Sequence, residues 1–207
     1  MKISYAITVC NELNEITKLL NFLLKHRRKE DEIVVLFDKK NGSPEVWSRI
    51  SELKGENNVL YKAATFKNHF ANWKNKLTSF CSGDYIFQID ADEYPHESLI
   101  TNLPEIIKTN PDNEVYLVPR VNTVKGLTEG HIQKWGWMVN SKGWVNWPDY
   151  QWRIWKNIPK IKWVNKVHEV LEGHKTYSQL PDMEELALYH PKGIDRQEKQ
   201  NEYYNTL

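Results

Sequence analysis

Positions 3–9 are β-rich and mostly apolar with no charge among them, the pattern of a strand covered on both faces. Asn11 or Asn14 can cap a following helix, whose buried stripe is Ile16, Leu19, Leu20 and Leu23. A second buried strand, 32–37, runs into Asp38-Lys39-Lys40-Asn41-Gly42, a turn by composition. Positions 44–53 predict a short helix and 58–63 a third strand. Positions 69–80 predict a helix with Phe70, Trp73, Leu77 and Phe80 on one side, ended by Gly83. A fourth strand, 85–89, leads into Asp90-Ala91-Asp92-Glu93, and a helix follows over 97–108. Strand alternating with helix predicts an α/β fold: a mostly parallel central sheet flanked by helices. Ligands of such sheets bind beyond the carboxyl ends of the strands. That rule gathers Asn11-Glu12, Asp38 and Asp90/Asp92 in one place.

The second half reads differently. Positions 115–121 predict a strand, and the stretch after Gly126, with further glycines at 130, 136 and 143, reads as loop. Residues 150–155 alternate as a strand does, and 167–171 and 186–190 are short strand candidates. The expectation is a β-rich, Trp-rich C-terminal part appended to the α/β half.

Composition narrows the field. A chain of 207 residues suits one domain, 1–207. With 28 basic and 27 acidic residues the net charge is +1, so no duplex nucleic acid is expected as partner. No apolar run reaches the roughly 20 residues of a membrane span, and the N-terminus reads as a strand rather than a signal peptide. Two cysteines, Cys10 and Cys81, make no disulfide framework, which points to a reducing, cytoplasmic setting. Seven of the nine tryptophans fall between Trp135 and Trp163. Most are expected to be core, with one or two left to line a groove.

Asp90, Asp92 and Glu93 put three carboxylates within four residues. Like charges that close raise one another's pKa unless a cation neutralises them. Carboxylate oxygen favours Mg2+ or Mn2+, and two protein ligands leave positions open for a phosphate oxygen. The ordinary alternative is a solvated acidic turn capping the next helix, but that does not need acids on both sides of a bend at a strand's end.

The segment Gly83-Asp84-Tyr85-Ile86-Phe87-Gln88-Ile89-Asp90-Ala91-Asp92-Glu93 resembles the acidic motif of family 2-like glycosyltransferases with the GT-A fold. Residues 7–12 are similar to their first strand and its Asn-Glu turn, 33–38 to their second strand, and Lys74-Asn75 to the basic-Asn pair that precedes the acidic motif. Residues 148–154, 167–169 and 188–190 resemble later segments less closely. The resemblance implies a nucleotide-sugar-binding half, 1–110, and an acceptor-side half, 111–207. It implies that Thr8, Asn11, Glu12 and Asp38 line the nucleoside pocket and that Lys74 or Asn75 approaches the nucleotide. Asp90, beside Ala91, would contact ribose or donor sugar. Asp92 and His190 would hold Mn2+ or Mg2+. The donor so implied is a nucleotide-linked sugar, commonly a UDP-sugar. Thr8 and Cys10 stand where proline and an aromatic residue are frequent, which bears on base preference.

Transfer of a sugar to a glycan or other hydroxyl requires a base for the acceptor proton, and a single in-line attack inverts the anomeric centre. Glu169 is the first candidate and Asp149 the reserve. If 167–171 is a strand, only one of His168 and Glu169 faces the cleft. Glu169 as a surface residue paired with a lysine such as Lys166 is the plain alternative. His190, at the end of an apolar run, can equally be structural. Arg153 can meet a phosphate or an internal acid. Interleaved Trp and Lys leave a rival open: a non-catalytic module that binds carbohydrate or single-stranded nucleic acid.

Overall fold

The computed structural model describes residues 1–204. Strand β1 (Ile3–Val9) sends Ile3, Tyr5, Ile7 and Val9 to one face and Ser4 and Ala6 to the other, all of them buried. Both faces being covered, it sits inside the sheet, paired in parallel with β2 (Glu32–Asp38) and with β4 (Tyr85–Asp90). β3 (Val59–Ala64) extends the sheet beyond β2. On the other side β7 (Val145–Lys156) runs antiparallel to β4 and to β6 (Val115–Lys125). β11 (Leu188–Gly193) lies parallel to β6, and the two-residue β5 (Tyr94–Pro95) closes that edge; β10 (Tyr177–Gln179) also pairs with β6. The order β3-β2-β1-β4-β7-β6-β11-β5 carries strands of both halves in one mixed, largely parallel sheet. The expected α/β class holds.

Helices cover the two faces. α1 (Leu13–His26), α2 (Pro44–Ser51) and α4 (Glu97–Thr109) bury Leu19, Val46 and Leu103, with their neighbours, against the face that carries Tyr5. α3 (Phe70–Thr78) covers the other face together with a hairpin of β8 (Lys162–Val164) and β9 (Val170–Glu172). Trp155 and Trp163 meet edge-on in that second core, ring centres 5.5 Å apart.

Several expectations change. Neither Asn11 nor Asn14 caps α1; Glu12 occupies that position, and its carboxylate accepts instead from the amides of Cys10 and Asn11, at 2.8 and 3.0 Å. The stretch read as loop holds α5 (Glu129–Trp135), boxed by Thr128 and His131 and ended by Gly136 in the left-handed conformation. α6 (Ile194–Tyr204) was not legible, having no apolar stripe. Residues 165–169 are the bent tip of the hairpin rather than a strand, with Asn165 and His168 at φ 74° and 52°. Gly83 does not end α3, whose cap is Ser79. Its role is contact: Gly83 N donates to Ser4 Oγ at 2.8 Å, and a Cβ on Gly83 would lie 2.7 Å from the backbone nitrogen of Ser4.

Gly83→Ala therefore forces β1 and β4 to shift and is expected to cost about 2 kcal/mol in urea unfolding. Gly193→Ala, where nothing lies within 4 Å of the added carbon, should stay within about 0.5 kcal/mol. Equal stabilities for the two variants would refute the close-approach explanation.

Candidate active site

The parallel register sets Thr8 level with Asp90 of β4 and Leu36 of β2, so the carboxyl ends of three strands open at one level. A cleft of roughly 1180 Å³ lies beyond them. Thr8, Asn11, Glu12, Asp38, Lys74, Asp90, Ala91, Asp92, Asp149, Arg153, Glu169 and His190 all line it. Asn75 does not. Its side-chain amide donates to Trp163 O at 2.8 Å and its carbonyl accepts from Trp163 N at 2.9 Å, so Asn75 pins β8 to α3 instead of approaching a nucleotide.

The acidic run divides its labour. Glu93 turns inward, has no exposed side-chain surface, and meets Arg153 at 2.7 Å and Arg120 at 2.9 Å. Its second oxygen accepts from the amide of Asp90 at 3.2 Å. Burial pushes the Glu93 carboxyl up, but the two guanidinium groups outweigh it and hold it at about 2. Arg153 also reaches Asp90 at 2.7 Å. Buried between two acids, Arg153 serves the internal network, and the phosphate alternative does not fit it. For Asp90, burial again opposes ionisation, and Arg153 and then Lys74 overcome it. The mutual repulsion expected of these acids is thus relieved largely by arginine.

Asp90 and Asp92 both keep surface in the cleft, and Asp92 takes a different set of partners. Its Oδ2 lies 3.3 Å from His190 Nε2 and 3.2 Å from Arg196. Burial raises the Asp92 carboxyl, and the bond to His190 with its charge brings it down to about 2. Behind His190 stands an ordered chain. Arg120 holds Asp149 Oδ2 through two nitrogens at 2.9 and 2.6 Å, and Asn122 Nδ2 donates to the same oxygen at 2.7 Å. A carboxylate only accepts, so Asn122 must turn its carbonyl toward His190 Nδ1, 2.8 Å away. Nδ1 then carries a proton, and Nε2, which meets Asp92 Oδ2 as a donor, would give up its own proton to offer a lone pair to a metal. Among the described residues no three His, Cys, Asp or Glu side chains converge as a metal cage. Asp92 and His190 form a two-member donor set.

Glu169 sits at the hairpin tip. The left-handed turn at His168 breaks the alternation of a strand, so both His168 and Glu169 face the cleft. Its partner is Lys74, at 2.6 Å, rather than Lys166. The Lys74 ammonium lies 4.4 Å from the centre of the Trp163 ring, so its charge is held between a carboxylate and an aromatic face. Asp149, the reserve base, accepts from Arg120, Asn122 and Gln151 and is held below the usual carboxylate range despite its burial. Taking up a proton there would leave Arg120 short of a partner.

At the far end, Asp38 accepts from the amides of Lys40 and Phe66, each at 3.1 Å, and from Asn41 Nδ2 at 2.7 Å. It therefore shapes the turn that walls the cleft beside Phe66 and Asn68. Trp137 and Trp152 line the opposite part.

Arg120, Asn122, Lys192 and Arg196 were missed. Arg120 had a signal, a charge inside an apolar strand. Asn122 had none, and Arg196 lies on a helix without hydrophobic periodicity.

The sequence pattern of glycosyl transferase family 2 matches residues 4–178. The chain belongs to that family. Its fold is similar to S. aureus TarS 1–349, with TM-score 0.63 and 17% identity, covering 92% of this chain and 60% of that one. Against TarS 1–349 in complex with UDP-GlcNAc the values are 0.54 and 21%, covering 62% and 36%. The mannosyltransferase PcManGT from Pyrobaculum calidifontis, in complex with GDP-Man and Mn2+, gives 0.50 and 16%, covering 57% and 35%. The chain thus spans only part of the length of each, at most 60%.

The network predicts an acid dependence. With Asp92 and Glu93 at about 2 when folded and about 4 when unfolded, the unfolded chain binds more protons between those values. Their stabilisation is complete above about pH 5 and is lost as pH falls toward 2. Arg153→Met should cost about 3 kcal/mol at pH 7, because Glu93 keeps its burial with one cation fewer. In urea titrations that gap should narrow steadily below pH 4. A gap constant down to pH 2.5 would contradict the assignment.

Proposed function

We propose that the protein is an inverting glycosyltransferase that moves a sugar from a nucleotide-diphosphate sugar, UDP-linked, to a hydroxyl of a glycan or other acceptor, with Mn2+ or Mg2+ as cofactor. One observation carries this reading: an acid at a strand's carboxyl end, Asp92, faces an imidazole nitrogen whose tautomer is set by Asn122 and Asp149. A module that only stacks sugars or bases on tryptophan has no use for that alignment. TarS in complex with UDP and PcManGT in complex with GDP-Man support a nucleotide-linked donor.

The residues fit a divalent cation. Asp92 offers a hard oxygen and His190 an Nε2 lone pair, a mixed pair that suits manganese somewhat better than magnesium. Bound there, the ion would supply Lewis-acid stabilisation of the diphosphate leaving group. The chain's own residues do the rest. Asp38, Thr8 and Asn11 form the nucleoside end, with Phe66 as its apolar wall. Asp90, fixed by Arg153, is placed to take a sugar hydroxyl. Lys74 orients Glu169 through Oε1, and Glu169 takes the acceptor's proton. Trp137 and Trp152 give the acceptor side an apolar wall on which a sugar ring can stack. The cleft exceeds what a single small ligand needs, which suits a donor and part of an acceptor together. Among the described residues no helix is long and apolar enough to cross a membrane.

The test is release of UDP from UDP-sugars, with and without Mn2+. Asp92→Asn is expected to lower it by about 100-fold or more while leaving the thermal transition in place. Turnover indifferent to EDTA would remove the metal from the scheme. Glu169→Gln should lose about 100-fold or more in turnover with UDP affinity unchanged. An unaffected rate would shift the base to another group.

A further inference from the structure

Helix α6 has little to bury. Through residue 202 its only aliphatic side chain is Ile194. Polar contacts hold it to the body instead, and those of Arg196 reach furthest. One guanidinium nitrogen of Arg196 lies 3.2 Å from Asp92 Oδ2 and 3.4 Å from Glu12 Oε1; the other lies 3.6 Å from Glu15 Oε1. His131 adds a contact to Glu198 at 3.6 Å, and Lys192 one to Gln200. Arg196 therefore ties a C-terminal helix to the N-terminal end of α1 and to the acidic strand end, across the mouth of the cleft.

Asp92 Oδ2 is also the oxygen that faces His190 Nε2. A cation between Asp92 and His190 would share that oxygen with the guanidinium and repel it at close range. We propose that Arg196 is the resident counter-ion of the metal site and a latch for α6: a divalent cation must displace it from Asp92, and the displacement loosens the helix over the cleft. Glu12 and Glu15 retain the guanidinium after release, so the arm swings without being lost to solvent. The proposal rests on the metal reading above and adds a prediction that reading does not make: metal affinity is limited by a side chain that is not a ligand.

The experiment measures Mn2+ binding to the full chain by electron paramagnetic resonance at fixed ionic strength, with and without UDP. Arg196→Gln should bind Mn2+ alone about 3- to 10-fold more tightly than wild type, the scale of a lost partly exposed ion pair. Glu15→Gln, which removes one acceptor of the released guanidinium, should shift it the other way, to weaker binding, by a smaller factor. Lys199→Gln removes a charge from the same helix without touching Asp92 and should change it less than about twofold. Hydrogen exchange over 194–202 should quicken in wild type when Mn2+ is added, toward the rate of Arg196→Gln. Equal Mn2+ affinity in wild type and Arg196→Gln overturns the latch, as does an equal gain in Lys199→Gln, which would make the effect one of charge at a distance. If wild type takes up no Mn2+ even with UDP, the metal reading falls and takes the latch with it. Uptake by wild type that Arg196→Gln leaves unaltered sinks the latch alone. Should Arg196→Gln fail to fold, Glu15→Gln still decides, since unchanged or tighter Mn2+ binding there overturns the proposal.

Discussion

A carboxylate with no exposed surface must find cations, and Glu93 finds two, Arg120 from β6 and Arg153 from β7. A buried network of this kind adds little net stability over an apolar core, because desolvating each ion offsets most of the attraction. What it supplies is position. Arg153 spends its remaining reach on Asp90, and Arg120 on Asp149. Asp149 orients Asn122, Asn122 orients His190, and His190 meets Asp92. The path begins and ends within one four-residue run, and it draws β4, β6, β7 and β11 into register on the way. The surface acids of the cleft are held where they are because Glu93, beneath them, cannot be left unpaired.

The opposite wall is built on aromatic packing. Trp163 is buried against Trp155, and Asn75 takes both backbone groups of Trp163, so the base of the β8–β9 hairpin is anchored at two kinds of contact. At the tip, Glu169 pairs with Lys74, which rests on the Trp163 ring, and Lys166 O accepts from Phe70 N. A carboxylate meant to accept a proton has to be oriented without being fully satisfied. Asp149, with four hydrogen bonds from three side chains, has been spent on structure. Glu169, at the hairpin tip and with lysine at one oxygen, leaves its other oxygen for the proposed chemistry.

Legibility along the chain followed burial. β1, β2 and β4 are covered on both faces, so their composition alone marks them, and the parallel register then dictates which polar residues meet. That rule gathers Asn11, Glu12, Asp38, Asp90 and Asp92 at one end of the sheet, whereas Thr8 comes only with the family resemblance. The second half obeys weaker rules. α5 is held by a capping box and a left-handed glycine, and α6 by ion pairs, so neither shows an apolar period. The hairpin tip defeated the alternation rule because two residues, Asn165 and His168, take left-handed backbone that no strand pattern anticipates. Asn122 is polar in a strand that also carries Arg120 and Thr123, and only its neighbours in space distinguish it. Asn75 misled for the opposite reason: an amide beside a cleft lysine is equally suited to bridging backbone.

The charge balance of the cleft gives the parts a common logic. Its rim carries Arg120, Arg153, Lys192 and Arg196 around Asp90, Asp92, Glu12 and Asp149. Lys192 is desolvated, which lowers its ammonium pKa, and Arg120 and Arg196 nearby lower it further. Arg120, Arg153 and Arg196 are paired with internal acids, and Lys192 reaches Gln200. On the proposed function, a diphosphate and a divalent cation would bring charges of both signs, so the Arg196–Asp92 pair could be exchanged for pairs with the ligand at little net electrostatic cost, while Arg153 stays with Asp90 and Glu93. Either component alone would leave an uncompensated charge in a partly desolvated site. That reading favours joint loading of metal and nucleotide, with the arginine on α6 as the partner that moves.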